Sequence, residues 1–234
     1  MKIKLFSLAL VMSITISSCD TLQQVAGGLS EPTSAEVASG LKQALEFGIS
    51  EGADLLSQKD GYFKSQYKIL LPEEARKVTD KLKVIPGFSD VENILLEKLN
   101  RAAEDAASSA KPIFVSAIKQ MTFSDAMSIL MGPNNGATTY LHDKTYQPLY
   151  TEFNPVIVNS LNKFNAIEYW ADAVNTYNKI PFIEKVNPSL DQYVTDKALD
   201  GLFDMVAKKE LQIRTDISSR STELLRKVFA KQDR

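Results

Sequence analysis

The chain has 234 residues, 44% hydrophobic and 24% charged, an ordinary globular composition and enough length for one domain with a proper core. Its 10 glycines and 9 prolines make up about 8% of the chain, against roughly 12% in an average globular protein, which favours long helices. One cysteine and one histidine exclude a disulfide framework, a Cys/His zinc site and a His-Glu-x-x-His helix, and leave only His142 for any catalytic triad.

Lys2 and Lys4 precede a mostly apolar run from Leu5 to Ile16, and Ile16-Ser17-Ser18-Cys19 follows. This order is that of a secretory signal, and the run is shorter than the roughly 20 residues a spanning helix needs. Its ending is similar to a bacterial lipobox, so residues 1–18 are expected to be removed and Cys19 to be acylated as the first residue of an exported, lipid-anchored envelope protein on the periplasmic side or outer membrane. With Lys2 and Lys4 gone, 29 acidic residues face 25 basic ones. That balance argues against a nucleic-acid partner and gives no attraction to anionic lipid, which leaves the membrane contact to the acyl chains on Cys19. Residues 19–32, small and polar with Gly27-Gly28, read as a tether, which for Thr21 to Pro32 reaches about 40 Å at full extension.

The remainder, residues 33–234, reads as one helical domain. Thr33-Ser34-Ala35-Glu36 offers a capping box, and Val37, Leu41, Leu45, Ile49 and Leu56 recur at helical spacing, predicting a helix over 34–57. Gly40, Gly48 and Gly52 inside it each cost about 1 kcal/mol relative to Ala, so the helix bends there or another helix packs very close. Lys59 to Leu71 has turn chemistry at Asp60-Gly61 and no helical period, the pattern of a long ordered loop, extended at 68–71. A short helix over 72–84 ends at Pro86-Gly87, and Ser89-Asp90-Val91-Glu92 forms a second capping box for a run that Pro112 breaks or kinks. Helical segments follow over 113–121 and 122–131. From Ala137 the pattern stays helical with punctuation at Pro148, Pro155, Pro181 and Pro188, and segments over 146–164, 166–179, 189–214 and 222–229 stand out. The fold expected is all-α, an irregular single-domain bundle of eight or nine helices.

The stretch Asn100 to Thr122 (NRAAEDAASSAKPIFVSAIKQMT), the FSDAMSILMG that follows it, and YVTDKALDGLF from Tyr193 to Phe203 resemble three blocks of a bacterial family known as domain of unknown function 4197. The early LKQALEFGISEGADLL and the terminal TELLRKVFA extend the resemblance over nearly all of the chain after Cys19. What it implies is an exported bacterial protein with no assigned activity.

Chemistry-bearing residues are few. His142 sits in a polar stretch, Tyr140 to Lys144, with no nucleophile motif beside it, and reads as a surface histidine. Five Ser/Lys pairs, Ser116 and Lys119 among them, have the spacing of Ser-Lys enzymes but lack the partner motifs those enzymes need. Asp196, Asp200 and Asp204 share one helix face, spaced about 6 Å apart along the axis, too far for all three to reach one cation. No cofactor or metal is expected. Small residues at Ala102, Ala103, Ala106, Ala198 and Gly201 permit close helix approach, predicting that the Asn100–Thr122 and Tyr193–Phe203 blocks pack together with Asp200 paired to Arg101 or Lys119. Tyr150, Phe153, Tyr169, Trp170 and Tyr177 are candidates for a groove that takes an apolar ligand or a partner helix. Three readings of function result: a non-catalytic binding or scaffold module with an envelope protein partner, a carrier or sensor of an apolar ligand, and a hydrolase working with carboxylates alone.

Overall fold

The computed structural model describes residues 31–122, 126–186 and 189–233; the signal segment, Cys19 and most of the tether lie outside them. The described residues form nine α-helices and no strand: α1 Ser34–Leu56, α2 Glu73–Leu82, α3 Val91–Ala107, α4 Ala110–Gln120, α5 Ala126–Met131, α6 Gly136–Lys163, α7 Ala166–Tyr177, α8 Asp191–Thr215 and α9 Glu223–Phe229. Short 3₁₀ turns occupy Ile217–Ser219 and Ala230–Gln232. The all-α single domain expected from the pattern is the one observed.

The start of α1 follows from its capping box. The Thr33 hydroxyl accepts from the Glu36 amide, and the Glu36 carboxylate accepts in return from the Thr33 amide. Lys227 on α9 then binds Glu36 at 2.6 Å, tying the first helix to the last. Those partners, with the Lys227 and Thr33 hydrogen bonds largest, hold the Glu36 carboxyl down at about 2. The second capping box does not form: Asp90 caps no amide of α3, because its carboxylate takes the Asn93 side chain and Glu92 pairs with Lys83 instead.

Helix α8 is the centre of the bundle, flanked by α1 and α6, with α3 and α4 packed on α6 and with α2 and α3 against α7. The glycines of α1 mark close approach. A Cβ at Gly48 would lie 2.9 Å from the Val206 Cα, one at Gly52 would lie 2.7 Å from the Met205 Cβ, and one at Gly40 would meet the Val228 side chain on α9. Backbone cannot yield as a flexible side chain does. Gly48→Ala is therefore expected to destabilise the fold by roughly 1 to 3 kcal/mol in urea unfolding, even though Ala is the better helix former by about 1 kcal/mol; a stabilised variant would mean that α1 and α8 are not in contact at that point.

Two prolines do not punctuate as expected. Helix α6 runs through Pro148 and Pro155, each of which removes an intrahelical hydrogen bond at a cost of about 3 kcal/mol. The compensation is tertiary: Leu141, Leu149, Phe153, Ile157 and Leu161 form one fully buried stripe on both sides of the prolines. Pro112, by contrast, falls in the first turn of α4, where its missing N–H is no loss, and the break comes earlier, at Ser108-Ser109.

Candidate functional site

The two blocks meet as expected, the rings of Phe114 and Phe203 lying 5.2 Å apart between centres, and beside that contact α3 and α8 also grip a third element, the loop of residues 57–72. The loop turns at Asp60, whose backbone is left-handed (φ 71°), and Gly61, where a Cβ would lie 2.6 Å from the Leu55 and Leu56 carbonyls. From α3, buried Asn100 reads the backbone of Ile69 in both directions, accepting its N–H at 2.8 Å and donating to its C=O at 2.9 Å. One turn later Glu104, also buried, accepts from the amides of Tyr62 (3.2 Å) and Phe63 (3.0 Å). Arg101 between them bridges Glu104 at 2.7 Å and Asp60 at 2.8 Å, with its guanidinium 5.0 Å from the centre of the Phe63 ring. Its hydrogen bond holds the Asp60 carboxyl below the usual carboxylate range.

From α8 the grip is made through tyrosines. Tyr62, fully buried, donates its hydroxyl to the Ala198 carbonyl at 2.8 Å, and its ring lies over Gly201, where a Cβ would approach within 3.1 Å. Burial pushes this phenol far up. The Tyr67 hydroxyl donates to Asp204 at 2.8 Å and accepts from Lys208 at 2.6 Å, while Tyr193 on α8 donates to the Leu70 carbonyl. Burial works to raise the Asp204 carboxyl, but the hydrogen bonds from Lys208 and Tyr67 outweigh it and keep it below its ordinary value.

The expected ion pair is thus corrected. Asp200 is exposed and pairs with Lys197 on its own helix at 2.9 Å; Arg101 is engaged by Asp60 and Glu104; Lys119 is exposed, and its backbone carbonyl accepts from Lys42. The cause is Tyr62: the room left by Gly201 is filled by its ring rather than by a helix. The acid stripe is likewise divided among separate partners, Asp196 accepting from the Tyr146 hydroxyl at 2.5 Å, Asp200 taking Lys197 and Asp204 taking Tyr67 and Lys208. Among the described residues no group of three or more His, Cys, Asp or Glu could hold a metal ion, and no helix is long and apolar enough to cross a membrane.

The aromatic groove is also redrawn. Phe153, Trp170 and Tyr177 are core residues, because they fall in register with buried Leu149 and Ile157 on α6 and with Ala166, Ala173 and Val174 on α7; only Tyr150 and Tyr169 stay half-buried. Tyr169 lies under the Lys98 ammonium, 5.7 Å from its ring centre. His142 packs its ring against Tyr146 and Phe203, and Ser116 accepts from Gln120, its neighbour one turn on, rather than pairing with Lys119.

A buried pair that the pattern reading passed over lies further along α8. Glu210 and Arg214, both fully buried, are bridged at 2.7 Å. The Glu210 carboxylate accepts from the Ala137 and Thr138 amides, the first N–H groups of α6, and Arg214 donates to the Leu130 and Ile129 carbonyls at the end of α5. The sequence signal was an ordinary Glu/Arg spacing of four within a helix, which is exposed far more often than buried.

A family model described as protein of unknown function (DUF4197) matches residues 31–230, from the residue before Pro32 through the end of α9. The chain belongs to the DUF4197 family. No curated protein and no solved structure matches it. In this DUF4197 chain the start of the Asn100–Thr122 block, NRAAE on α3, and the Tyr193–Phe203 block on α8 are the two jaws of the clamp, closed on the loop from Ser57 to Pro72.

Proposed function

We propose that this DUF4197 protein is a non-catalytic binding or scaffold module, held to the bacterial envelope by lipid on Cys19 and acting through a protein partner. The carrying observation is Phe182. Its ring is fully exposed, and its backbone sits in the left-handed region at φ 62°, a conformation that costs a bulky residue about 1 kcal/mol or more. A ring held fully in solvent at a backbone position that costs free energy adds nothing to the packing of this chain, which supports a use at a contact with a partner. The polar side chains of the blocks support the same reading, because Asn100, Arg101 and Glu104 spend their hydrogen bonds on holding backbone and loop.

The lipobox-like Ile16-Ser17-Ser18-Cys19 and the tether leading to the capped start of α1 support the anchor. A photo-crosslinking residue placed at 182 in the native envelope is expected to yield an adduct with an envelope protein that the same residue at Leu211, an exposed position on α8, does not give. Identical adducts from both positions, or none, would refute a specific partner face. Cys19→Ala is expected to move the protein out of the membrane fraction in high salt, and retention of that variant would count against the anchor.

A further inference from the structure

A pocket of about 480 Å³ lies between α4 and α6, a volume within the range of about 300 to 1,000 Å³ usual for small-ligand sites. Ala117 on α4 and Thr145 and Pro148 on α6 line it with short side chains, which leaves the seam between the two helices unfilled. Its apolar lining comes from Ile113 and Met121 on the α4 side and from Leu149 on α6.

Two opposite charges frame this space. Lys144 and Glu152 both line the pocket from the exposed face of α6, about two turns and about 12 Å apart along the axis, too far to satisfy each other. The Lys144 ammonium lies 5.7 Å from the centre of the ring of Tyr140, another wall residue, and among the described residues neither Lys144 nor Glu152 has an ion-pair partner. A backbone acceptor lies between the charges. Pro148 has no N–H, so the Lys144 carbonyl, one turn before it on the same face, lacks the donor that any other residue type at 148 would supply.

This pattern selects among ligands. A dicarboxylate would bring like charge to Glu152, and a diamine would bring it to Lys144. A single α-amino acid holds its two charges too close together to reach both. An extended peptide of three residues spans about 10 Å, with an ammonium at one end, a carboxylate at the other and N–H groups between them.

We propose that the seam between α4 and α6 binds a short zwitterionic peptide with an apolar side chain. Its terminal carboxylate pairs with Lys144, its terminal ammonium pairs with Glu152, a peptide N–H donates to the Lys144 carbonyl, and the side chain lies against Ile113, Met121 and Leu149. The site is independent of the partner face at Phe182, so either can fail without the other.

The full chain in mild detergent is dialysed to equilibrium against tritium-labelled Ala-Leu-Ala at pH 7, with protein-free detergent as the blank. Expected is saturable binding that becomes about fivefold weaker when the peptide is N-acetylated or C-terminally amidated, the effect of losing one solvent-facing ion pair. The zwitterion 8-aminooctanoate, of similar span but without peptide N–H groups, is expected to compete poorly. In Lys144→Gln the amidated and free peptides should bind alike while acetylation still weakens binding; in Glu152→Gln the acetylated and free peptides should bind alike while amidation still weakens it. Both side chains are exposed on one helix, so neither substitution disturbs the core. No saturable binding of the tripeptide, equal binding of its free and blocked forms, competition by 8-aminooctanoate as strong as by unlabelled tripeptide, or an unchanged order of preference in either variant would each overturn the assignment.

Discussion

Glu210→Ala is expected to lower stability by about 3 to 5 kcal/mol. The carboxylate does two things at once. It neutralises Arg214, bonded to it through Nε at 2.8 Å and Nη2 at 2.7 Å, with both side chains fully removed from solvent. It also caps α6 from a distance, accepting from the Ala137 amide at 2.9 Å, the Thr138 amide at 2.7 Å and the Thr138 hydroxyl at 2.6 Å. The residue at the N-cap position itself, Asn135, makes no side-chain cap, so these amides depend on α8. Truncation strands a buried guanidinium and orphans the helix start together. Arg214 would keep its hydrogen bonds to Leu130 and Ile129 but lose its counter-charge.

Replacing both partners by apolar residues of similar volume should recover part of the loss, since the stranded charge is gone, but not all of it, since the amides stay uncapped. Urea unfolding of the single and double variants tests this. A shift below 1 kcal/mol for Glu210→Ala, or no recovery in the double variant, would show that water reaches the pair.

What was legible beforehand follows a physical division. Local signals with one strong reading came through: the Thr33 capping box, the apolar spacing of α1, the turn at Asp60-Gly61, the close approach implied by Gly48 and Gly52. Where local chemistry competes with tertiary structure, the local reading failed. Pro148 and Pro155 sit inside α6 because a buried stripe outweighs two lost hydrogen bonds, and the Ser89–Glu92 box stays open because Lys83 and Asn93 offer its acids other partners. The clamp shows a third case. Gly201 announced that something presses on α8, but a glycine does not say what, and the intruder was Tyr62, remote in sequence. Similarly, Trp170 reads as a groove residue, but the assembled bundle buries it in register with Ala166, Ala173 and Val174 and leaves its nitrogen without a partner.

The corrected clamp gives the last prediction a sharp contrast between two acids. Glu104, with a side chain 5% exposed, is the acceptor for two loop amides and the counter-charge of Arg101. Asp200, 54% exposed, holds only Lys197 in a solvated pair on one helix. Glu104→Ala should therefore cost about 3 to 5 kcal/mol, as when one member of a buried pair is removed, and Asp200→Ala about 1 kcal/mol or less. A local readout separates clamp from general stability: in Glu104→Ala the amides of Tyr62 and Phe63 should exchange with solvent much faster, while those in the centre of α1 change only as the global stability does. Because Arg101 also holds Asp60, the conservative Glu104→Gln, which keeps an acceptor for the amides but removes the charge, should fall between the two. Equal losses for Glu104→Ala and Asp200→Ala, with no selective exchange at Tyr62 and Phe63, would mean that the loop is held by Tyr62, Tyr67, Tyr193 and Asn100 without it and that the carboxylate on α3 adds nothing to the grip.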